Sequence, residues 1–523
     1  MRLTSPLAKR PAATVIALVA TIVTACIHNP PDIDGKPSAP RAPDTVWAPP
    51  KQAIVRDSIP RAEIPSDLAD RIQRLTLPDV IEFALRNNPA TRASYATARA
   101  AGDVVGAARG AYYPQITLNA NAQRTRSISA GASNGRTSTG GSTGGTTGGT
   151  IPVNLGTDRT FFTPNAAVSW LLFDFGGRAG SVENAEAAAF AASYTHNATV
   201  QTVVLAAESA YFNYNATKAL ASAQRATVIE DSTNYVAAQA RHQAGVATIA
   251  DVVQAKTALA QAELTSESDE GNVQTARGAL AVALGLPATV PYDIQAEPPD
   301  VPIGGAVEAV DSLITRAIRA RPDLAASRAQ VLEAEAAVRQ ARSTGLPTLS
   351  LTGSGGRTIS DNSAFNGNTY TVGLGLSFPL FTGFTNTYNV LAARERVAAA
   401  RATTDQLRDQ VVFQVFASYY ALQTATLQVR TSEALLASAQ TSEDVASGQY
   451  KAGVGTILNV LTAQSALEAA RAQQVQARWA WYTSLAQLSH NVGVLGLHGE
   501  TPIHLRTDTT VGPTPPSGQS PPR

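Results

Sequence analysis

The chain has 523 residues, 44% of them hydrophobic and only 15% charged, and its net charge is +1. So even a balance, with no run of lysine or arginine, excludes a nucleic-acid partner held by charge. A single cysteine, Cys26, excludes an intrachain disulfide, so packing alone must hold a chain whose length suggests about three domains.

The N-terminus reads as a signal peptide over residues 1–25. Lys9 and Arg10 give a positive start, and Ala12 to Val23 give an apolar run. That run is shorter than the roughly 18 residues of a spanning helix. The tetrapeptide VTAC, Val23 to Cys26, resembles a bacterial lipoprotein box, in which Cys26 becomes the lipidated first residue. Ile27 in place of aspartate implies, by the same resemblance, sorting to the outer membrane. The alternative is a plain signal peptide with an incidental cysteine. Residues 26–75 are proline-rich (PPDIDGKPSAP, RAPDTVWAPP) and read as an extended tether. Residues 507–523 form a second proline-rich stretch, expected to be disordered.

Between these ends the chain is a duplication, with copies at 76–290 and 308–495. ALRNNP (Ala84 to Pro89) matches AIRARP (Ala317 to Pro322), and YYPQITL (Tyr112 to Leu118) matches GLPTLSL (Gly345 to Leu351), both at an offset of 233 residues. Trp170 matches Phe378, AYF (Ala210 to Phe212) matches SYY (Ser418 to Tyr420), and AGVATIADV (Ala244 to Val252) matches AGVGTILNV (Ala452 to Val460), all at 208. The difference of 25 residues places an insertion between Pro114 and Trp170. The Gly/Ser/Thr tract at 130–151 accounts for it. That tract lacks the GK[ST] ending of a phosphate loop and reads as a surface loop.

Each copy opens with one helical segment, at about 78–110 and 308–342. A strand follows the proline at 114 or 347, then a loop and a second strand, NAAVSWLLF or YTVGLGLSF. Val372, Leu374, Leu376 and Phe378 fall on one face of the latter, and Thr371, Gly373, Gly375 and Ser377 on the other. Ile116 and Leu118 alternate likewise with Thr117, Asn119 and Asn121. Such period-two patterning fits a membrane barrel wall, with a half-buried strand of a soluble sheet as the alternative. No later segment has 18 uninterrupted apolar residues, so a membrane crossing must use strands. Trp170 and Phe378 at the strand ends fit an interfacial aromatic girdle. From Gly177 to His242 no proline interrupts, which predicts a helix of ~100 Å. Val204, Ala207, Tyr211 and Tyr214 form a coiled-coil stripe along it.

In duplicate and in this order, the NNP and ARP helix starts, the YYP and GLP strand entries, the LFDFGG and LFTGF strand exits and the repeated AGVxTIxxV resemble the bacterial outer membrane efflux family, the TolC-like channel-tunnels. The resemblance covers residues 75 to 495. It implies a homotrimer in which four strands from each subunit close one twelve-stranded barrel in outer membrane lipid. The helices continue as a coiled-coil tunnel through the periplasm. SWLLFDFGGR and SFPLFTGFTN are then the two strand-to-helix transitions, with Gly176, Gly177 and Gly383 permitting the turn, and the 130–160 tract becomes an extracellular loop. Gly245 and Val246, with Gly453 and Val454, fall at helix-hairpin tips that face a periplasmic adaptor. By the resemblance, a gate at these tips uses Asp251, Tyr450, Asn459 and Thr462. An arginine-bearing family position is Gly455 here, and two acidic positions are Asn459 and Thr462. The tip is therefore expected to close by hydrogen bonds and packing around Tyr450 and Asn459, with one ring of three Asp251.

No catalytic motif is present, and the six histidines lack metal spacing, so neither an enzyme nor a cofactor is expected. The implied function is a passive outer membrane exit duct, working with an adaptor and an inner-membrane pump of RND or ABC type. The alternatives are an outer membrane component of type I protein secretion and, in another class, a lipid-anchored periplasmic coiled-coil scaffold without a pore.

Overall fold

The two copies fold with almost residue-for-residue economy. In a computed structural model describing residues 72, 74–127, 157–295, 305–306, 308–495 and 506–507, the first copy runs α1 (Leu77–Asn87), α2 (Pro89–Gly110), β1 (Gln115–Ser127), β2 (Thr157–Phe173), α3 (Gly177–Gln243) and α4 (Ile249–Ala283). After a two-residue strand β3 (Gly305–Ala306), the second copy runs α5 (Val310–Ala320), α6 (Pro322–Ser343), β4 (Thr348–Ser360), β5 (Gly367–Ser377), α7 (Thr385–Lys451) and α8 (Ile457–Val492). A last short strand, β6 (Arg506–Thr507), pairs with β3. The first and second helices measure 11 and 22 residues in both copies, and the long helices α3 and α7 measure 67 each. The expected signal peptide, Cys26, most of the tether, the 130–151 tract and nearly all of the C-terminal stretch lie outside the described residues.

One expectation is corrected. The single helical segments at 78–110 and 308–342 are each two helices, broken at Asn88 and Arg321. Both residues are extended, with φ −63° and ψ 127°, and φ −66° and ψ 122°. Pro89 and Pro322 dictate this, because a proline ring clashes with a helical residue before it. Each break receives the far end of its copy's return helix. Gly285 follows α4 and sits with φ +72° against Asn87. Gly493 follows α8 and sits with φ +83° against Arg321.

Strands β1, β2, β4 and β5 make one antiparallel sheet in that order. The helices attached to it follow the same lateral order, α2 against α3, α3 against α6 and α6 against α7. Beyond the sheet, α3 pairs with α4 and α7 with α8 as antiparallel hairpins. The predicted stripe is real: Val204, Ala207, Tyr211 and Tyr214 are all buried. In the second copy, Leu313, Val411, Val415, Leu422, Val429, Trp481 and Leu488 form the continuous core, and the Trp481 indole donates to Thr426 Oγ1 at 3.0 Å.

Glu208 is an exception within this apolar packing. It is buried on α3, and burial pushes its carboxyl up to about 7. A carboxyl raised in the folded state contributes stability below its unfolded pKa and loses it as pH rises through the folded value. Glu208→Gln is therefore expected to stabilise the protein by roughly 2–3 kcal/mol at pH 8 and to be neutral near pH 4.5, as read from paired denaturant melts at the two pH values. Equal effects at both pH values would show that the carboxyl does not ionise across this window.

Candidate functional site

The sheet register sorts every strand residue onto one of two faces. Ile116, Leu118 and Ala120 lie opposite Val168, Ala166 and Pro164. Trp170 and Val168 lie opposite Leu351 and Gly353. Leu351 and Leu349 lie opposite Leu374 and Leu376. One face is thus continuously apolar, and its large side chains are exposed or partly exposed in the isolated subunit, with Ile116, Leu118, Val372, Leu374 and Leu376 among the most exposed. The opposite face carries Thr117, Asn119 and Asn121, then Thr163, Asn165 and Ser169, then Ser350, Thr352 and Ser354, then Thr371, Gly373 and Ser377. It is polar yet uncharged along that length. This is the division of a wall with lipid outside and water inside. Among the described residues the outer edges of β1 and β5 pair with nothing. Four strands at ~4.8 Å spacing cannot close on themselves, and no helix of the described residues is long and apolar enough to cross a membrane.

Trp170 lies on the apolar face, and its indole donates to the Tyr112 carbonyl at 2.8 Å. A bulge between Leu171 and Phe173 brings Phe173 onto the same face. Phe378 follows β5 and is exposed. A second aromatic row, which the sequence reading missed, stands eight residues away on the same strands: Phe162 on β2 and Tyr370 on β5. Eight residues span ~27 Å of strand, or ~20 Å across a bilayer at the tilt of membrane barrels. That matches an apolar band between two interfacial girdles.

At the transitions, two consecutive residues adopt the left-handed conformation, Phe175 and Gly176 in one copy and Gly383 and Phe384 in the other. The phenylalanines were not foreseen, and non-glycine residues with positive φ are uncommon. Gly177 serves differently. It is the first residue of α3, and an added Cβ would stand 2.6 Å from Ser343 Oγ. Arg178 ties this corner together. Its guanidinium donates to the carbonyls of Leu171 at 2.5 Å and Leu172 at 3.0 Å, lies 4.7 Å from the Tyr112 ring centroid and is paired with Asp174. The Arg178 amide also donates to Asp174 Oδ2 at 2.6 Å. In the second copy Asn386 replaces Arg178 and donates to Thr344 at 3.5 Å.

The hairpin tips are a matched pair. Gly245 has φ +75° and Gly453 φ +78°. Val246 N–H donates to the Arg241 carbonyl at 2.9 Å, and Val454 N–H to the Gln449 carbonyl at 3.0 Å, so each helix ends in a Schellman motif. Val246 and Val454 are left exposed. Each return helix then starts on a threonine. Asp251 accepts from the Thr248 amide at 3.0 Å, and Thr248 Oγ1 accepts from the Asp251 amide at 3.3 Å, a capping box. Thr456 Oγ1 accepts from the Asn459 amide in the same way. Thr462 Oγ1 donates back to Leu458 O. Within one subunit, Tyr450 is joined not to Asn459 but to Arg241 of the first copy. The Arg241 guanidinium lies 4.5 Å from the ring centroid of Tyr450, and its Nη1 donates to the Tyr450 carbonyl at 3.1 Å. The Tyr450 hydroxyl is enclosed without a hydrogen-bond partner among the described residues. His242 Nδ1 lies 3.0 Å from the Ala247 carbonyl. Among the described residues no cluster of His, Cys, Asp and Glu could hold a metal.

A sheet apolar on one side and neutral-polar on the other, open at both edges and continued by 67-residue helices, defines one subunit of a membrane channel with a helical tunnel. The chain belongs to the outer membrane efflux protein family, whose model matches residues 80–286 and 313–494. It is 31% identical over 412 residues to Protein CyaE of Bordetella pertussis, covering 78% of this chain and 81% of that protein. It is 26% identical over 407 residues to the outer membrane efflux protein BepC of Brucella suis, covering 77% and 82%. The Campylobacter jejuni CmeC outer membrane channel has the same fold, with a TM-score of 0.66 at 17% identity, over 80% of this chain and 85% of that one. The chain is accordingly an exit duct of the cell outer membrane whose helices extend into the periplasm.

Proposed function

We propose that three copies pair β5 of one with β1 of the next, closing a single twelve-stranded barrel. Substrates pass through it outward and passively, delivered by a periplasmic adaptor and an inner-membrane pump that supplies the energy. The duct carries no chemistry of its own. The observation behind this reading is the open sheet with one lipid-compatible and one water-compatible face, since closure alone removes its two edges. Exposed Val246 and Val454, each held out by a rigid glycine turn, suit the adaptor contact. Acylation of Cys26 would add a second attachment to the membrane. Purified protein is expected to run as a heat-modifiable trimer and to conduct ions in planar bilayers. Protein that stays monomeric in detergent and passes no current would favour the coiled-coil scaffold without a pore.

The tip residues act as the gate in this reading. Arg241 holds the first hairpin to the second through Tyr450, a contact worth about 0.5–2 kcal/mol. Asp251, Asn459 and Thr462 stiffen the starts of the return helices, and Asp251 adds one acidic ring at the entrance. Arg241→Ala is expected to raise the open-state fraction of single channels several-fold, whereas Tyr450→Phe is expected to behave as wild type because the hydroxyl bonds to nothing among the described residues. Wild-type gating in Arg241→Ala would remove this contact from the gate.

A further inference from the structure

The outward face changes character at the end of the sheet farthest from the helices. Arg124 on β1 lies opposite Thr160, one pleat beyond the Ala122 and Phe162 pair. Arg357 on β4 lies opposite Asn368, one pleat beyond the Gly355 and Tyr370 pair. These two arginines are 233 residues apart, and the two aromatics are 208 apart, the same two offsets that relate the copies on either side of the insertion. The duplication has therefore set down the same arrangement twice: an aromatic at the edge of the apolar band, and on the neighbouring strand an arginine one step further out. Arg126 lies on the same face one pleat beyond Arg124.

The charges around this rim do not cancel. Among the described residues, Arg124, Arg126, Arg159 and Arg357 stand there against Asp158 and Asp361. Asp158 takes Arg124 through two bonds, at 3.0 and 2.6 Å. Asp361 accepts from the Thr160 amide at 3.2 Å. Arg159, on the opposite face, lies 4.0 Å from the Phe365 ring centroid. Arg126 lies opposite the same Asp158 in the register, so one carboxylate serves two guanidiniums. Among the described residues no carboxylate pairs with Arg357, and the rim keeps a net positive charge for something outside the subunit. At that depth, one pleat above an interfacial aromatic, lipid headgroups are what an outward side chain meets. A planar guanidinium binds phosphate oxygens in pairs, which an ammonium does not.

We propose that Arg124 and Arg357, with Arg126 beside them, form a rim that binds phosphorylated headgroups of the outer leaflet. The inference rests on the barrel reading above. Three subunits then present six repeat-related arginines around the barrel, each above an aromatic, and fix its depth in the outer leaflet.

The test uses the detergent-purified trimer and native mass spectrometry. Wild type is expected to retain a bisphosphorylated glycolipid about tenfold or more over its dephosphorylated form. The double variant Arg124→Gln/Arg357→Gln is expected to lose that preference while remaining a conducting, heat-modifiable trimer. Arg357→Gln alone forfeits no ion pair among the described residues and is expected to lose part of it. Equal retention of the two lipids by wild type, or an unchanged preference in both variants, would overturn the proposal. Displacement of the lipid by millimolar inorganic phosphate would reassign the site to free anions and equally overturn it. A wild-type protein that neither assembles nor conducts would sink the duct reading instead.

Discussion

Replacing Arg178 with alanine is expected to cost about 3–5 kcal/mol of stability, among the largest effects of any single side chain in the subunit. Arg178 and Asp174 are nearly enclosed, with side chains 11% and 14% exposed. The guanidinium answers the Leu171 and Leu172 carbonyls just where β2 has bulged and left its ladder, and it covers the Tyr112 ring that precedes β1. Without it, Asp174 keeps only the amide of residue 178, and two strand-end carbonyls lose their donor. Lysine is not a substitute, because one ammonium cannot reach both carbonyls and stack on the ring. The expected result is a trimer that dissociates at a clearly lower temperature on heated gels for Arg178→Ala and Arg178→Lys alike. Adding Asp174→Asn to Arg178→Ala is expected to recover part of the loss, because it removes the stranded charge. A single variant within 1 kcal/mol of wild type, or a double variant less stable than the single, would show that Arg178 does not organise this corner.

That corner also shows how far the sequence could be read. The wall was legible because side chains alternate with period two and a one-residue slip would put every apolar group on the wrong face. YTVGLGLSF declared its faces without any partner strand. The 67-residue helix was legible because nothing between Gly177 and His242 could interrupt it. The breaks at Asn88 and Arg321 were legible in part: NNP and ARP marked helix starts, as Pro89 and Pro322 are, but the stretches around them read as helical throughout because helical residues lie on both sides. The left-handed Phe175 and Phe384 were hidden by the glycines beside them, which looked sufficient for the turn. Arg241 and Tyr450 are 209 residues apart in the chain, and no local pattern joins them. Asp251 is the instructive case. The spacing of Thr248 and Asp251 is a capping-box signature readable on its own, and the structure places the carboxylate on the first turn of its helix. Its part in an entrance ring came from resemblance.

Four glycines end the four hairpin helices, and they are expected to tolerate alanine very unequally. Gly245, Gly285, Gly453 and Gly493 all have φ between +72° and +83°, and all close Schellman motifs. An alanine pays the left-handed penalty of about 1–2 kcal/mol at each. At the tips nothing stands within 4 Å of the new methyl, so Gly245→Ala and Gly453→Ala are expected to cost no more than that. At Gly285 the methyl would lie 2.7 Å from the Asn87 carbonyl oxygen, and at Gly493 3.0 Å from the Arg321 amide nitrogen. These obstacles are backbone at a proline break, which cannot rotate aside as a side chain can. Either α4 or α8 must retreat, adding about 1–3 kcal/mol of overpacking. At Gly493 the retreat also strains the buried bond from Gln201 Nε2 to the Gly493 carbonyl, 2.9 Å long, which holds the end of α8 to α3. Thermal dissociation of the four variants should therefore fall into two classes, with the tip pair mild and the junction pair severe. Four equal shifts would mean that the φ penalty alone governs. The proline breaks would then not be the fixed seats against which each copy's return helix is clamped.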